Sequence, residues 1–142
     1  MGIGAPSIVG SFYRDTKVAA ALGTLASATT IQTTAAAYGT EIDCKGYKKV
    51  LFTLLSGAIT DATSITFTAV ENAASSGSVN TACPQIGTCV FAAADDGLVK
   101  SYEVIPNARY VKIKYVAVGA TTGGPFVGIA HLCDPDEVAN PS

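Results

Sequence analysis

From Thr29 to Cys133 the chain repeats one pattern: short runs in which apolar and polar residues alternate, each stopped by Gly, Pro, Asn or Asp. Successive side chains of a strand point to opposite faces, so a period of two marks a sheet with one face in a core and the other in water. Parallel strands need long crossovers, usually helical, and no helical period lies between these runs. The pattern therefore restricts the chain to an antiparallel arrangement of about seven or eight strands.

The runs differ in what their faces carry. Thr29–Ala37 is rich in Thr and suits a strand with one wet face. Lys48–Ser56 sets Val50, Phe52 and Leu54 against Leu51, Thr53 and Leu55, apolar on both sides, as in a central strand. Ser64–Glu71 alternates more sharply, Ile65, Phe67 and Ala69 against Thr66 and Thr68, and leads into a polar loop over Glu71–Asn80. Thr88–Ala93 ends at the turn signal Asp95-Asp96-Gly97, and Leu98–Ile105 is stopped by Pro106-Asn107. Val111, Ile113, Tyr115 and Ala117 then share one face with Tyr110, Lys112 and Lys114 opposite. Gly119–Pro125 reads as a hairpin turn, and Phe126–Cys133 as the returning strand.

With 142 residues, 49% of them apolar, the chain fits one β domain with a core of ordinary size. Two facing sheets bury both inward sets, and each Val, Ile or Phe so buried contributes about 1.5–3 kcal/mol before entropy is counted. The expected fold is an all-β antiparallel sandwich over residues 29–142, jelly-roll-like or immunoglobulin-like in strand order. The lack of a Cys…Trp…Cys pattern excludes a standard antibody-type domain. Residues 1–28 read as an extended N-terminal arm, with a short helix over Thr16–Leu25 suggested by its Ala and Leu.

Charge and motif spacing remove several function classes. Nine basic against eleven acidic side chains leave a net charge of −2 and no basic block for a nucleic-acid backbone. The longest apolar run, Val18–Ala26, is too short to span a bilayer, and its late start and mixed flanking charges do not make a secretion signal. A soluble protein made in the cytoplasm, with no membrane partner, is expected. The single histidine, His131, lies among apolar strand residues and reads as structural; no G-x-S-x-G elbow accompanies it, so no enzyme activity is expected. Asp95-Asp96 and the Asp134–Glu137 tail lack calcium-ligand spacing, Gly119–Pro125 lacks the helix and Lys of a phosphate loop, and no cofactor or metal is implied. The four cysteines form no C-x-x-C. They read as buried thiols, or as a Cys83–Cys89 disulfide that closes a short loop for about 2 kcal/mol.

Three segments carry a family resemblance. "YGTEIDCKGYKKVLFTLLSGAITDATSITFTAVEN" (Tyr38–Asn72) resembles small virion proteins of tailed bacteriophages, in which an "ID or VD, two residues, GY" element leads into two strands. "GLVKSYEVIPNARYVKIKYVAVGATTGG" (Gly97–Gly124) is similar to their "ARYVK" strand and Thr/Gly turn, and "VGIAHLCDPDEVANP" (Val127–Pro141) to their last strand with a "DP" exit. Two features depart from that pattern: the loop after Glu71 lacks the acidic cluster often found there, and "CPQIGTC" (Cys83–Cys89) is foreign to it. The resemblance implies a capsid decoration, or cement, protein. Such a protein is a small sandwich, commonly a homotrimer, that binds the major capsid protein outside the head at three-fold or quasi-three-fold sites. In that role Phe12, Tyr13 and Arg14 are candidates for anchoring the arm, because aromatics and Arg dominate interface energies. A minor tail or head-completion component and a carbohydrate-binding sandwich module are the alternatives.

Overall fold

The computed structural model describes residues 17–22, 29–31, 36–62, 64–86, 89–119 and 123–135. Within them the strands are β1 (Lys17–Leu22), β2 (Thr29–Ile31), β3 (Ala37–Tyr38), β4 (Ile42–Asp43), β5 (Tyr47–Ser56), β6 (Ser64–Asn72), β7 (Thr81–Ala82), β8 (Gln85–Ile86), β9 (Cys89–Ala92), β10 (Val99–Val104), β11 (Tyr110–Val118) and β12 (Gly124–Pro135). The described residues include no helix.

Two antiparallel sheets form a sandwich. One runs β1-β12-β5-β10-β8, with β2 also on β12; the other runs β3-β11-β6-β7, with β4 on β11 and β9 on β6. From β9 onward each successive strand crosses to the opposite sheet, and the last strand inserts between the first and β5. That alternation is a jelly roll, which decides between the two strand orders open at the level of sequence.

The inward residues follow the period of two. Val50, Phe52 and Leu54 of β5 and Phe126, Ala130 and Leu132 of β12 face Ile65, Phe67 and Ala69 of β6 and Val111, Ile113 and Ala117 of β11, all buried. Phe126 reaches across to Phe67 and Phe91, with ring centroids 5.1 Å from each, and Phe91 meets it edge to face. Such aromatic pairs add about 0.5–1.5 kcal/mol each beyond their burial, so this trio ties the two sheets near one end.

Four expectations change. The segment expected as a helix is strand over Lys17–Leu22, paired with Gly128–Leu132 of β12. A helix this short is marginal in water, whereas the free edge of β12 offers a ladder of backbone hydrogen bonds. β1 thus belongs to the sandwich and not to an arm outside it.

The stretch Asn107–Pro135 is not a hairpin. β11 pairs with β6, β3 and β4, while β12 pairs with β5, β1 and β2, in the other sheet. Both edges of each strand are already occupied, so the intervening Gly-rich segment bridges the sheets. Its far end is held by Gly123 N–H donating to Asp61 Oδ1 (2.7 Å) and Thr60 N–H donating to Gly123 O (2.9 Å).

The Thr29–Ala37 run is broken as well. Its ends pair in different sheets, Thr29–Ile31 with β12 and Ala37 with β11. The polar loop starts later than expected, because β6 continues through Glu71 and Asn72, both buried.

Candidate interaction surface

The outer faces of the two sheets differ in chemistry, and the difference follows from which residues the strand period turns outward. On the β11-β6 sheet the outward residues are Tyr110, Lys112, Lys114 and Val116 of β11 and Thr66 and Thr68 of β6, while Val70 and Asn72, in the same phase, are buried. Tyr38 lies beside Lys114, and the Lys112 ammonium sits 5.4 Å from its ring centroid. Arg109 caps the same side, clasping Asp43 through Nε–Oδ1 (2.8 Å) and Nη2–Oδ2 (2.7 Å). That hydrogen bonding, with a further donation from Lys45 N–H, holds the Asp43 carboxyl well below its ordinary range. This face is polar, rich in Thr and bears two lysines.

The outer face of the β12-β5 sheet carries more aliphatic residues, interspersed with His131, Glu103, Lys49, Thr53 and Ser101. Its ladder places Val18, His131, Leu51 and Glu103 in one row, Ala20, Ile129, Thr53 and Ser101 in the next, and Val127, Leu55 and Val99 in a third. Val18 is 50% exposed, Leu51 37%, Leu55 45% and Val99 61%. Among the described residues one ion pair stands there, Lys49 Nζ to Glu103 Oε1 at 3.2 Å, and it raises the lysine's pKa through the hydrogen bond to Glu103. Thr53 and Ser101 satisfy each other at 3.1 Å between hydroxyl oxygens. With strands about 4.8 Å apart and a rise of about 3.4 Å per residue, four strands by three rows span on the order of 400 Å².

His131 lies half-buried in the first of these rows, in register with Val18 on one side and Leu51 on the other. Among the described residues no group of three or more His, Cys, Asp or Glu is arranged to hold a metal ion. Asp95 and Asp96 act locally. Asp95 Oδ2 accepts from Ala92 N–H (2.8 Å) and Lys100 Nζ (2.7 Å), and Asp96 Oδ1 from Ile59 N–H (2.7 Å). The anchoring candidates Phe12, Tyr13 and Arg14 lie outside the described residues.

The cysteines are free thiols, Cys44, Cys83 and Cys89 buried and Cys133 partly exposed. Cys83 and Cys89 are thus not joined: Cys83 Sγ lies 3.3 Å from Glu71 Oε2, while Cys89 faces the core from β9. Burial pushes the Cys44 thiol up to about 12 and Cys89 to about 11.

Glu71 was not singled out by sequence reasoning. Its Oε2 accepts from Asn107 N–H (2.7 Å) and Ala108 N–H (3.2 Å), which fixes the turn between β10 and β11. The only hint was an acidic residue at an inward strand position, in phase with Ile65, Phe67 and Ala69. An open cleft of about 520 Å³ lies beside it, lined by Asn72, Val79 and Ala108 among others, with no aromatic wall. The carboxylate is engaged by backbone, so its role there is structural.

No protein-family model matches the chain, and no curated protein matches it. Solved structures do. The PBSX exported protein XepA is similar over 87% of this chain, with 15% identity and a TM-score of 0.57, and the chain spans 39% of XepA's length. The SPBc2 prophage-derived protein YomS is similar over 82% of this chain and 93% of its own, with 18% identity and a TM-score of 0.45. The coat protein of Tobacco streak virus is similar over 90% and 91%, with 15% identity and a TM-score of 0.43. Proteins of phage and viral origin thus stand among the structural neighbours, and at these identities what the chain shares with XepA is the β-sandwich fold.

Proposed function

We propose that this chain is a virion structural protein of a tailed bacteriophage, one that binds the outer surface of the head and stabilises the capsid lattice. The observation that carries the reading is the pair of outer faces, one richer in aliphatic residues and one polar with two lysines, on a sandwich whose interior is filled by side chains. Such a molecule works through its outside. The segments Tyr38–Asn72 and Gly97–Gly124, which resemble phage decoration proteins, form β5, β6, β10 and β11, the strands that carry most of both faces.

Stabilisation on this reading is by linkage. A protein that binds the assembled shell better than its separated parts shifts the equilibrium towards the shell, and many modest contacts repeated on a symmetric lattice add up. The major capsid protein is the partner, with homotrimers at three-fold or quasi-three-fold sites on the outer virion surface, and Phe12, Tyr13 and Arg14 help to anchor each copy. No chemistry is assigned to His131, and the protein is not an enzyme on this reading.

Cryo-electron microscopy of purified virions tests the proposal. Density for the chain in many symmetric copies on the outer shell is expected, with occupancy reduced when Met1–Asp15 is deleted. A few copies confined to the tail or neck would replace it with a tail or head-completion role.

A further inference from the structure

We infer that the more aliphatic outer face, that of the β12-β5 sheet, is the contact between copies of this chain, three faces turning toward a common axis, while the polar face with the lysines is left for the shell. The trimer rests on the decoration reading; the assignment of the face rests on its own chemistry. Its partner is a second copy, for three reasons.

The first is charge. The chain carries a net charge of −2, so two copies repel unless they meet where charge is absent. This face comes near that condition: beside Ala20, Thr53, Ser101 and His131 its rows hold Val18, Leu51, Leu55, Val99, Val127 and Ile129, and the charges of its Lys49 and Glu103 offset each other. The opposite face carries Lys112 and Lys114, which suit an acidic surface and disfavour an identical one.

The second is shape. The face is a regular antiparallel array of aliphatic residues spaced by the strand period, the kind of surface that already packs sheet on sheet inside this sandwich. A copy presents the same spacing at the same concentration.

The third is area. On the order of 400 Å² per copy is about half of what a stable pair of proteins buries on each side. A single face-to-face pair is therefore weak. Around an axis each face touches two others, and a lattice holds the copies at high local concentration.

Sedimentation velocity of the full chain from about 1 µM to about 500 µM tests this, beside the double variant Leu51→Glu, Val127→Glu. The wild type is expected to rise from the 14.4 kDa monomer toward three times that mass. The double variant is expected to remain monomeric over the range, shifting the midpoint at least about tenfold, the effect of roughly 1.4 kcal/mol. A second pair, Leu51→Thr with Val127→Thr, keeps strand propensity and uncharged packing; it is expected to weaken association with an unchanged circular dichroism spectrum. Val90→Glu, on the opposite outer face, is expected to associate like the wild type. A wild type that stays monomeric throughout overturns the inference, as does undiminished association of both face variants. Monomeric protein that still decorates virions would sink the face assignment and leave the decoration reading. A self-associating protein absent from virions would do the reverse.

Discussion

Glu71 Oε2 accepts the backbone N–H of Asn107 at 2.7 Å and that of Ala108 at 3.2 Å, so one buried carboxylate on β6 fixes the turn that links β10 to β11. Asn107 is exposed and Ala108 half-buried, but a hydrogen bond to a charged acceptor still contributes about 1.5–3 kcal/mol. Glu71→Ala is expected to destabilise the fold by roughly 2–4 kcal/mol, and Glu71→Gln by less, because the amide oxygen takes the place of Oε2. Urea unfolding checks both; equal losses for Ala and Gln would show that the carboxylate's acceptor role is not what matters.

At Gly39 and Thr40 the backbone ties the two sheets together. Gly39 N–H donates to Ile113 O (2.8 Å) in one sheet, and the next residue, Thr40, donates to Ala21 O (3.0 Å) in the other. A Cβ at Gly39 would run into the carbonyl oxygen of Ala21, a backbone atom with little room to move. Gly39→Ala is expected to cost about 1–3 kcal/mol by overpacking, read as a lower midpoint in thermal or urea unfolding. Gly46→Ala meets no neighbour but has φ +87°, so its loss measures backbone strain and separates the two effects.

The thiols should divide by exposure. Cys133 is partly exposed, and the other three are buried with their pKa values raised by burial. Alkylation of the native protein at pH 8 is expected to modify Cys133 first and the remaining three only after denaturant is added. Intact mass should be the same with and without reductant. A two-proton difference would establish a disulfide and contradict the arrangement of Cys83 beside Glu71.

Acid sensitivity follows from Asp43. Its folded pKa is depressed, chiefly by the hydrogen bond from Arg109, so its contribution is complete above the unfolded carboxylate value near 3.9 and lost as pH falls toward the folded one. Melting temperature should therefore drop as pH is lowered from about 4, and Asp43→Asn should flatten that drop. Asp95, depressed by Lys100 and Ala92 N–H, acts in the same direction and is the control that must be left intact. An identical pH slope in Asp43→Asn would exclude the Arg109 pair as a source of acid sensitivity.

Much of the sandwich was legible because its period is local. The alternation of Ile65, Phe67 and Ala69 with Thr66 and Thr68, and of Val111 and Ile113 with Lys112 and Lys114, marks which side of each strand is buried. Partners are not local, and there the reading failed. Gly119–Pro125 has the composition of a hairpin turn, yet whether a Gly-rich link doubles back in one sheet or crosses to another depends on which edges are already taken. The Ala-rich stretch around Ala19–Ala21 favours helix by propensity, and the open edge of β12 overrides it.

The candidate surface was half visible. Leu51 and Leu55 opposite Val50, Phe52 and Leu54 pointed to a strand central in its sheet, and β5 does lie between β12 and β10. Being hydrogen-bonded on both edges does not cover both faces, however, and 37% of Leu51 and 45% of Leu55 remain exposed. The partners that complete the patch, Val18 of β1 and Val99 of β10, lie far from each other in the chain and meet it only through sheet order.

The strand order also sets when this molecule can finish folding. β12, the last described strand to leave the ribosome, is the one that β1, β2 and β5 pair with. Until Gly124–Pro135 has emerged, the earliest strand has no ladder to join and Phe67 and Phe91 lack the ring that sits between them. Closure must bring together segments more than a hundred residues apart, which slows folding and delays it until β12 has been made. A nascent chain stalled before Gly124 would expose an unpaired sheet edge along β5, a template for aggregation that only the emergence of β12 removes.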